Sequence, residues 1–403
     1  MKALIFNIFI FSHLGLNQIF AQEQKGINFE HGTFEEIKTK AKTENKIVFI
    51  DAYTTWCGPC KWMSKTVFPK PDVAAFYNSN FINAKIDMEK GEGIAIASTY
   101  SIQAYPSLLY VDGNGEVVHR SVGARDEKEF IELGKTALNP DKNLKGLSLK
   151  FKTEPGNFKN AYSYISELSD ANLPEKKGAF DAYFATQDKS EWIELPNWRM
   201  LYDFVKSPEN PVFVYFKENR TAFSTKYTSD SVNKKMQSVY FNALQNASQS
   251  GDVSKWEGLK ETILNLKLEG GEKMISYSGI ALAADNQDLA FERISVYIEK
   301  FGSKEANQLN EFSWRIYESS TNKTHLIAAE KWASSATKLE PENPMIADTY
   351  AALLFKNNKK TEAKSMAIKA IKLGTQAGED MKGTEELLKK IEVSLKASPS
   401  KKK

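Results

Sequence analysis

The chain has two cysteines, Cys57 and Cys60, in the run Trp56–Cys57–Gly58–Pro59–Cys60–Lys61. Joining two residues three apart closes almost no loop and gains little chain-entropy stability, so the pair calls for a reason other than stability. Thiols at this spacing on a helix share a face and lie within disulfide reach. A helix that starts at the motif sets unpaired N–H groups and partial positive charge beside Cys57, which favours its thiolate. The thiolate is the attacking species. Cys57 is therefore expected to be an exposed nucleophile, and Cys60, one turn inward, the resolving thiol. Pro59 costs no helix hydrogen bond in a first turn. Half a zinc site is the competing reading, but zinc takes four ligands. There is no third cysteine, and His31, His119 and His325 lie far apart. No metal and no other cofactor is expected.

Such a pair needs a strand before it and a helix after it. Ile47–Val48–Phe49–Ile50 is a continuous apolar run, as expected for a central strand covered on both faces. Thr33–Phe34–Glu35–Glu36 has the form of a capping box and opens a helix to about Thr43. The helix begun by the cysteines should be disturbed near Pro69 and Pro71. Residues 81–86 read as the next strand and 93–100 as a helix. Residues 107–111 and 116–120 flank Asp112–Gly113–Asn114–Gly115, a strong hairpin signal. Asp126–Glu127–Lys128–Glu129 caps a last helix ending near Leu138. These elements predict a mixed α/β sheet with helices on both faces.

From about Thr33 to Leu138 the sequence resembles a thioredoxin-fold domain, closest to exported thioredoxin-like domains with a long helix before the Cys-bearing strand. Trp56 precedes the motif as in that family. Asp51, six residues before Cys57, matches the family's buried carboxylate, which assists deprotonation of the resolving cysteine. Tyr105–Pro106 falls at the family's cis-proline, which faces the disulfide and exposes the backbone of Tyr105 to an incoming peptide. Gly123 matches the late glycine after the final strand. Two positions depart. Aligning on Ile86–Asp87 puts Asn83 where many thioredoxins carry a lysine near the buried acid, and Tyr105 is bulkier than usual. The resemblance implies a protein-disulfide oxidoreductase in which Cys57, Cys60, Asp51 and Pro106 are catalytic, and Trp56, Gly58, Pro59 and Tyr105 meet the substrate. Gly–Pro between the cysteines leans towards reduction. Disulfide isomerase or oxidase activity stays open, as does a scaffold with a secondary redox role.

A chain of 403 residues suggests two domains. Its formal net charge of +3 is near neutral for this size and gives no reason to expect nucleic acid. Residues 1–21 read as an export signal. Lys2 leads a mostly apolar stretch interrupted by Asn7 and Ser12–His13, and Ile19–Phe20–Ala21 offers a cleavage site. The stretch is shorter than the ~20 residues needed to span a bilayer. A periplasmic or otherwise extracytoplasmic location follows, with protein thiols and disulfides as substrates and a membrane or periplasmic electron donor as partner. The expected organisation is a thioredoxin-like domain over 22–139, a linker at Asn139–Pro140–Asp141, an α-helical domain over 140–395 and a basic tail over 396–403.

In the helical part, Trp192, Trp198, Trp256, Trp314 and Trp332 are expected in the core. Ala329, Ala333, Ala336 and Leu339 recur 34 residues later as Ala363, Ala367, Ala370 and Leu373. That period resembles the tetratricopeptide repeat, placed here near 310–375. The expected fold class is thus an α/β thioredoxin fold followed by an all-α helical-repeat (TPR-like) domain. Stacked helix pairs build concave surfaces, so a peptide or protein partner is expected on the helical domain.

Overall fold

The computed structural model describes residues 26–396; the expected export signal and the tail beyond Lys396 lie outside the described residues. The chain divides into two compact units, Met1–Trp192 and Ile193–Lys403.

The first unit is built on a four-stranded sheet in the order β2-β1-β3-β4. Strand β1 (Ile47–Tyr53) pairs parallel with β2 (Phe81–Asp87) and antiparallel with β3 (Ser107–Val111), which pairs antiparallel with β4 (Val117–Val122). Five helices accompany the sheet: α1 (Phe34–Glu44), α2 (Gly58–Thr66), α3 (Pro71–Asn80), α4 (Gly93–Thr99) and α5 (Glu127–Leu138). Thr33 with Glu36, and Asp126 with Glu129, form the two capping boxes. Pro69 lies in the break between α2 and α3, and Pro71 opens α3, where its missing N–H costs nothing.

Strand β1 is covered on both faces, as its apolar run predicts. Val48, Ile50 and Ala52 pack with Phe34, Ile37 and Ala41 of α1 and Ile96 of α4. Phe49, on the opposite face, packs with Met63 of α2, Tyr77 of α3 and Phe130 of α5. By strand alternation Asp51 shares the Phe49 face, the one that α2 covers.

The first unit does not stop at Leu138. Asn139–Pro140–Asp141 makes a turn into α6 (Leu144–Thr153), fastened by buried Asn143, whose side-chain amide donates to the Ala137 carbonyl at 3.0 Å. Helices α6 and α7 (Phe158–Asp170) pack against edge strand β4, and α8 (Glu175–Ala185) packs on α7. Asp170 accepts hydrogen bonds from Ser121 at 2.5 Å and Arg125 at 3.0 Å. The proposed linker is therefore an internal turn of the first unit, because an edge strand carrying buried Val118, His119 and Ser121 needs a cover.

The second unit is helical throughout its regular structure. In helix Lys323–Leu339 the alanines Ala329, Ala333 and Ala336 are fully buried, as are Ala363, Ala367 and Ala370 in helix Lys360–Ala377. Leu339 is exposed, so the fourth position of the spacing is not a core position. Trp192, Trp198 and Trp256 are buried and Trp332 partly so, but Trp314 is 36% exposed. Helix Ala306–Ser319 buries Leu309, Phe312, Ser313 and Ile316, and Trp314 lies off that stripe. Among the described residues no helix is long and apolar enough to cross a membrane.

Candidate active site

The strand–turn–helix from β1 to α2 sets the cysteines. Cys57 is the N-cap of α2, and Pro59 occupies the first turn. Cys57 Sγ accepts the Cys60 N–H at 3.1 Å, so the sulfur sits where the helix start presents its donors. Cys57 and Cys60 are joined as a disulfide, with their Cα atoms 5.3 Å apart. Cys57 is only 3% exposed and Cys60 2%, which corrects the expectation of an exposed Cys57. The sulfurs cover one another in the disulfide, and the Cys57 N–H is tied to the Thr54 carbonyl at 3.3 Å. Exposure belongs to the neighbours instead: Trp56 is 65% exposed, and Gly58 and Pro59 are open to solvent. What separates the two thiols is therefore position on the helix rather than accessibility.

The Tyr105–Pro106 peptide is cis. The Tyr105 ring meets the Trp56 ring edge-on, centroids 5.9 Å apart, so the loop before β3 lies against the cysteine turn. The Pro106 carbonyl accepts the Gly123 N–H at 2.9 Å, and Gly123 adopts φ +97°, a conformation that favours glycine.

Asp51 is 1% exposed. Its one charged partner among the described residues is Lys85, whose Nζ lies 3.0 Å from Oδ2. Neither carboxylate oxygen has a well-aligned hydrogen-bond donor. Burial raises the Asp51 carboxyl above its usual range, and Lys85 pulls it part of the way back. Lys85 also donates to Ser64 of α2 and faces the rings of Tyr53 and Phe68.

Lys85 corrects the reading of Asn83. The β1–β2 register pairs Asp51 with Lys85 and Phe49 with Asn83. Asn83 is on the same strand face one pleat earlier, where its amide donates to the Asn28 carbonyl and Asn78 Oδ1. A lysine does accompany the buried acid, two residues further along than the alignment placed it. The available signal was strand periodicity, since positions 83 and 85 share a face. A second missed residue is Glu89, which accepts the Trp56 indole N–H at 2.9 Å.

Residues 34–138 match the family model described as a thioredoxin-like domain. Thioredoxin-1 of Drosophila melanogaster is 34% identical to the chain over 90 residues, which are 22% of this chain and 78% of that protein. The chain belongs to the thioredoxin-like family. It is also 27% identical over 114 residues to the thiol:disulfide interchange protein DsbD of Pseudomonas fluorescens, a match covering 25% of this chain and 20% of that much longer relative. The solution structure of a candidate disulphide-isomerase from Bacteroides thetaiotaomicron is 45% identical, covering 28% of this chain and 95% of that one, with a TM-score of 0.27. Family and bonded cysteine pair together make this thioredoxin-like chain a thiol–disulfide oxidoreductase.

Proposed function

We propose that the chain is an extracytoplasmic reductant of protein disulfides that works through the Cys57–Gly58–Pro59–Cys60 dithiol. The observation that carries the proposal is the N-cap position of Cys57, whose sulfur accepts the Cys60 N–H. Those donors and the helix dipole favour negative charge on that sulfur. In the reduced form the Cys57 thiolate attacks one sulfur of a substrate disulfide. The substrate S–S bond breaks, the first substrate thiolate leaves and takes up a proton, and a mixed disulfide remains on Cys57. Cys60 gives its proton to the Asp51 carboxylate and attacks Cys57 Sγ, which expels the second substrate thiolate. That thiolate takes up the proton. The substrate gains two electrons and two protons, and the protein is left in the disulfide form. A raised carboxyl at Asp51 suits a group that must accept and return a proton near neutral pH. Tyr105 and Pro106 offer backbone to the substrate peptide, and Trp56, Gly58 and Pro59 supply the exposed rim.

Restoring the dithiol requires an external dithiol donor, which for an exported protein is a membrane or periplasmic relay. The export-signal pattern of residues 1–21 and the match to DsbD support the extracytoplasmic location. The alanine spacing of 34 residues supports a helical-repeat reading of the second unit, with a peptide or protein partner as its function. The deciding experiment is the reduction potential of the Cys57/Cys60 couple, paired with turnover of an insulin-type disulfide. A potential near thioredoxin's about −270 mV supports the reductant reading, and one near about −120 mV makes the chain an oxidant.

A further inference from the structure

Glu89, at the rim of the cysteine site, carries a negative charge with no ionic partner among the described residues. Trp56 adjoins Cys57, and its exposed indole N–H donates to both carboxylate oxygens of Glu89, at 2.9 and 3.1 Å. The same indole meets the ring of Tyr105, the residue before cis-Pro106. Glu89, Trp56 and Tyr105 thus form one cluster at the mouth of the disulfide.

The other acids near Glu89 in the chain are already engaged. Asp87 pairs with Lys90 at 3.1 Å and accepts the Glu89 N–H. Glu92 accepts the Phe34 N–H at the start of α1 at 2.9 Å. Glu89 has no cation within ion-pairing distance among the described residues, and a neutral indole donor does not cancel its charge. Lys85 is occupied by Asp51 and Ser64. Lys61, exposed just after Cys60, makes no pair with Glu89. A substrate segment lying over Trp56 and Tyr105 therefore meets a lone negative charge.

We propose that Glu89 is a specificity residue that selects disulfides whose flanking peptide carries Lys or Arg and disfavours those flanked by Asp or Glu. This rests on the oxidoreductase reading of the same site. Opposite charges a few ångströms apart at a water-exposed rim attract modestly, and like charges repel by a similar amount. The two effects together give a preference of about five- to tenfold at low ionic strength. Both act on encounter with the substrate, so they are screened by salt.

The test uses the full chain and three synthetic disulfide peptides that differ only in one residue beside a cysteine: Lys, Gln or Glu. The wild-type kcat/KM should rank Lys above Gln above Glu, with a Lys:Glu ratio of about five to ten in low salt and within about twofold near 0.5 M salt. Glu89→Gln keeps an amide oxygen that can accept the indole N–H and removes only the charge, so its ratio should fall to within about twofold at any salt. Turnover of all three peptides with no charge ranking, or a ranking that survives Glu89→Gln, overturns the proposal and leaves the oxidoreductase reading standing. No turnover of any peptide by the wild type overturns both. The wild-type salt series decides the matter even if the variant folds poorly.

Discussion

Asp51 and Lys85 stand opposite one another on the parallel strands β1 and β2, and their charged groups meet at 3.0 Å on the sheet face covered by α2. Desolvation of the carboxyl outweighs the lysine's pull. In the folded chain Asp51 therefore holds its proton to higher pH than in the unfolded chain. A group shifted in this direction contributes most below the ordinary carboxylate pKa, and its contribution is lost as pH rises through the folded value.

Asp51→Asn should consequently stabilise the oxidised protein at pH 7 to 8 by about 1–3 kcal/mol, the desolvation scale of a buried poorly satisfied group. The gain should shrink towards pH 4, and urea unfolding across that range reads it. The same variant should slow release of the mixed disulfide by about 100-fold near neutral pH in single-turnover kinetics. Unchanged resolution would remove Asp51 from the mechanism.

Lys85→Met takes away the charge that opposes desolvation. The Asp51 carboxyl should move further up, and the acidic limb of the pH profile for resolution, where protonated Asp51 cannot take the Cys60 proton, should move to higher pH. Attack by Cys57 should respond less. In the Asp51→Asn background the lysine substitution should produce no further shift, because the two groups act as one pair. Additive shifts would show that Lys85 acts elsewhere.

Cys60→Ser should trap substrates as mixed disulfides on Cys57, readable on non-reducing gels, while Cys57→Ser should not. Burial does not distinguish the two sulfurs, so this experiment tests the N-cap argument directly. Equal trapping by both variants would sink the assignment.

A fragment ending at Trp192 should unfold in a single transition and keep disulfide exchange. One ending at Asn139 strips α6 and α7 from β4, along with the buried side chains of Leu144, Leu147 and Phe151. It should be less stable by roughly 3 kcal/mol or more, or fail to fold. Equal denaturation midpoints would show that α6 and α7 are dispensable.

The cover on β4 also makes stability depend on pH. His119 Nε2 lies 3.8 Å from Glu167 Oε2 of α7. Burial pushes His119 down to about 4 and Glu167 up to about 7, so the pair meets largely uncharged between those values. Glu167 contributes stability that is lost as pH rises through about 7, and His119 contributes stability that is lost as pH falls from its unfolded value towards about 4. Glu167→Gln should remove the loss on the alkaline side, by about 1 kcal/mol at pH 8 once solvent screening is allowed for. The Glu167 side chain keeps 28% of its exposure, which is why the figure is small. A denaturation midpoint that follows pH identically in both proteins would refute this account.

Much of the first unit was legible in the chain because its signals are local. Thr33 with Glu36 and Asp126 with Glu129 lie three residues apart, the Asp112–Gly115 turn is contiguous, and the apolar run of β1 announces a strand buried on both faces. The cysteine spacing, Asp51 and the Tyr105–Pro106 position follow from motif and resemblance alone. Lys85 was misplaced by two residues because strand register depends on a neighbour 34 positions away in sequence. Glu89 went unseen for a similar reason, since its bond to Trp56 joins residues 33 apart across a fold. Burial of Cys57, the exposure of Trp314 and the continuation of the first unit to Trp192 were decided only by packing. Caps, turns and periodicity are written in neighbouring residues. Which charge faces which acid, and which helix covers an open edge, depend on surfaces that exist only once distant segments have docked.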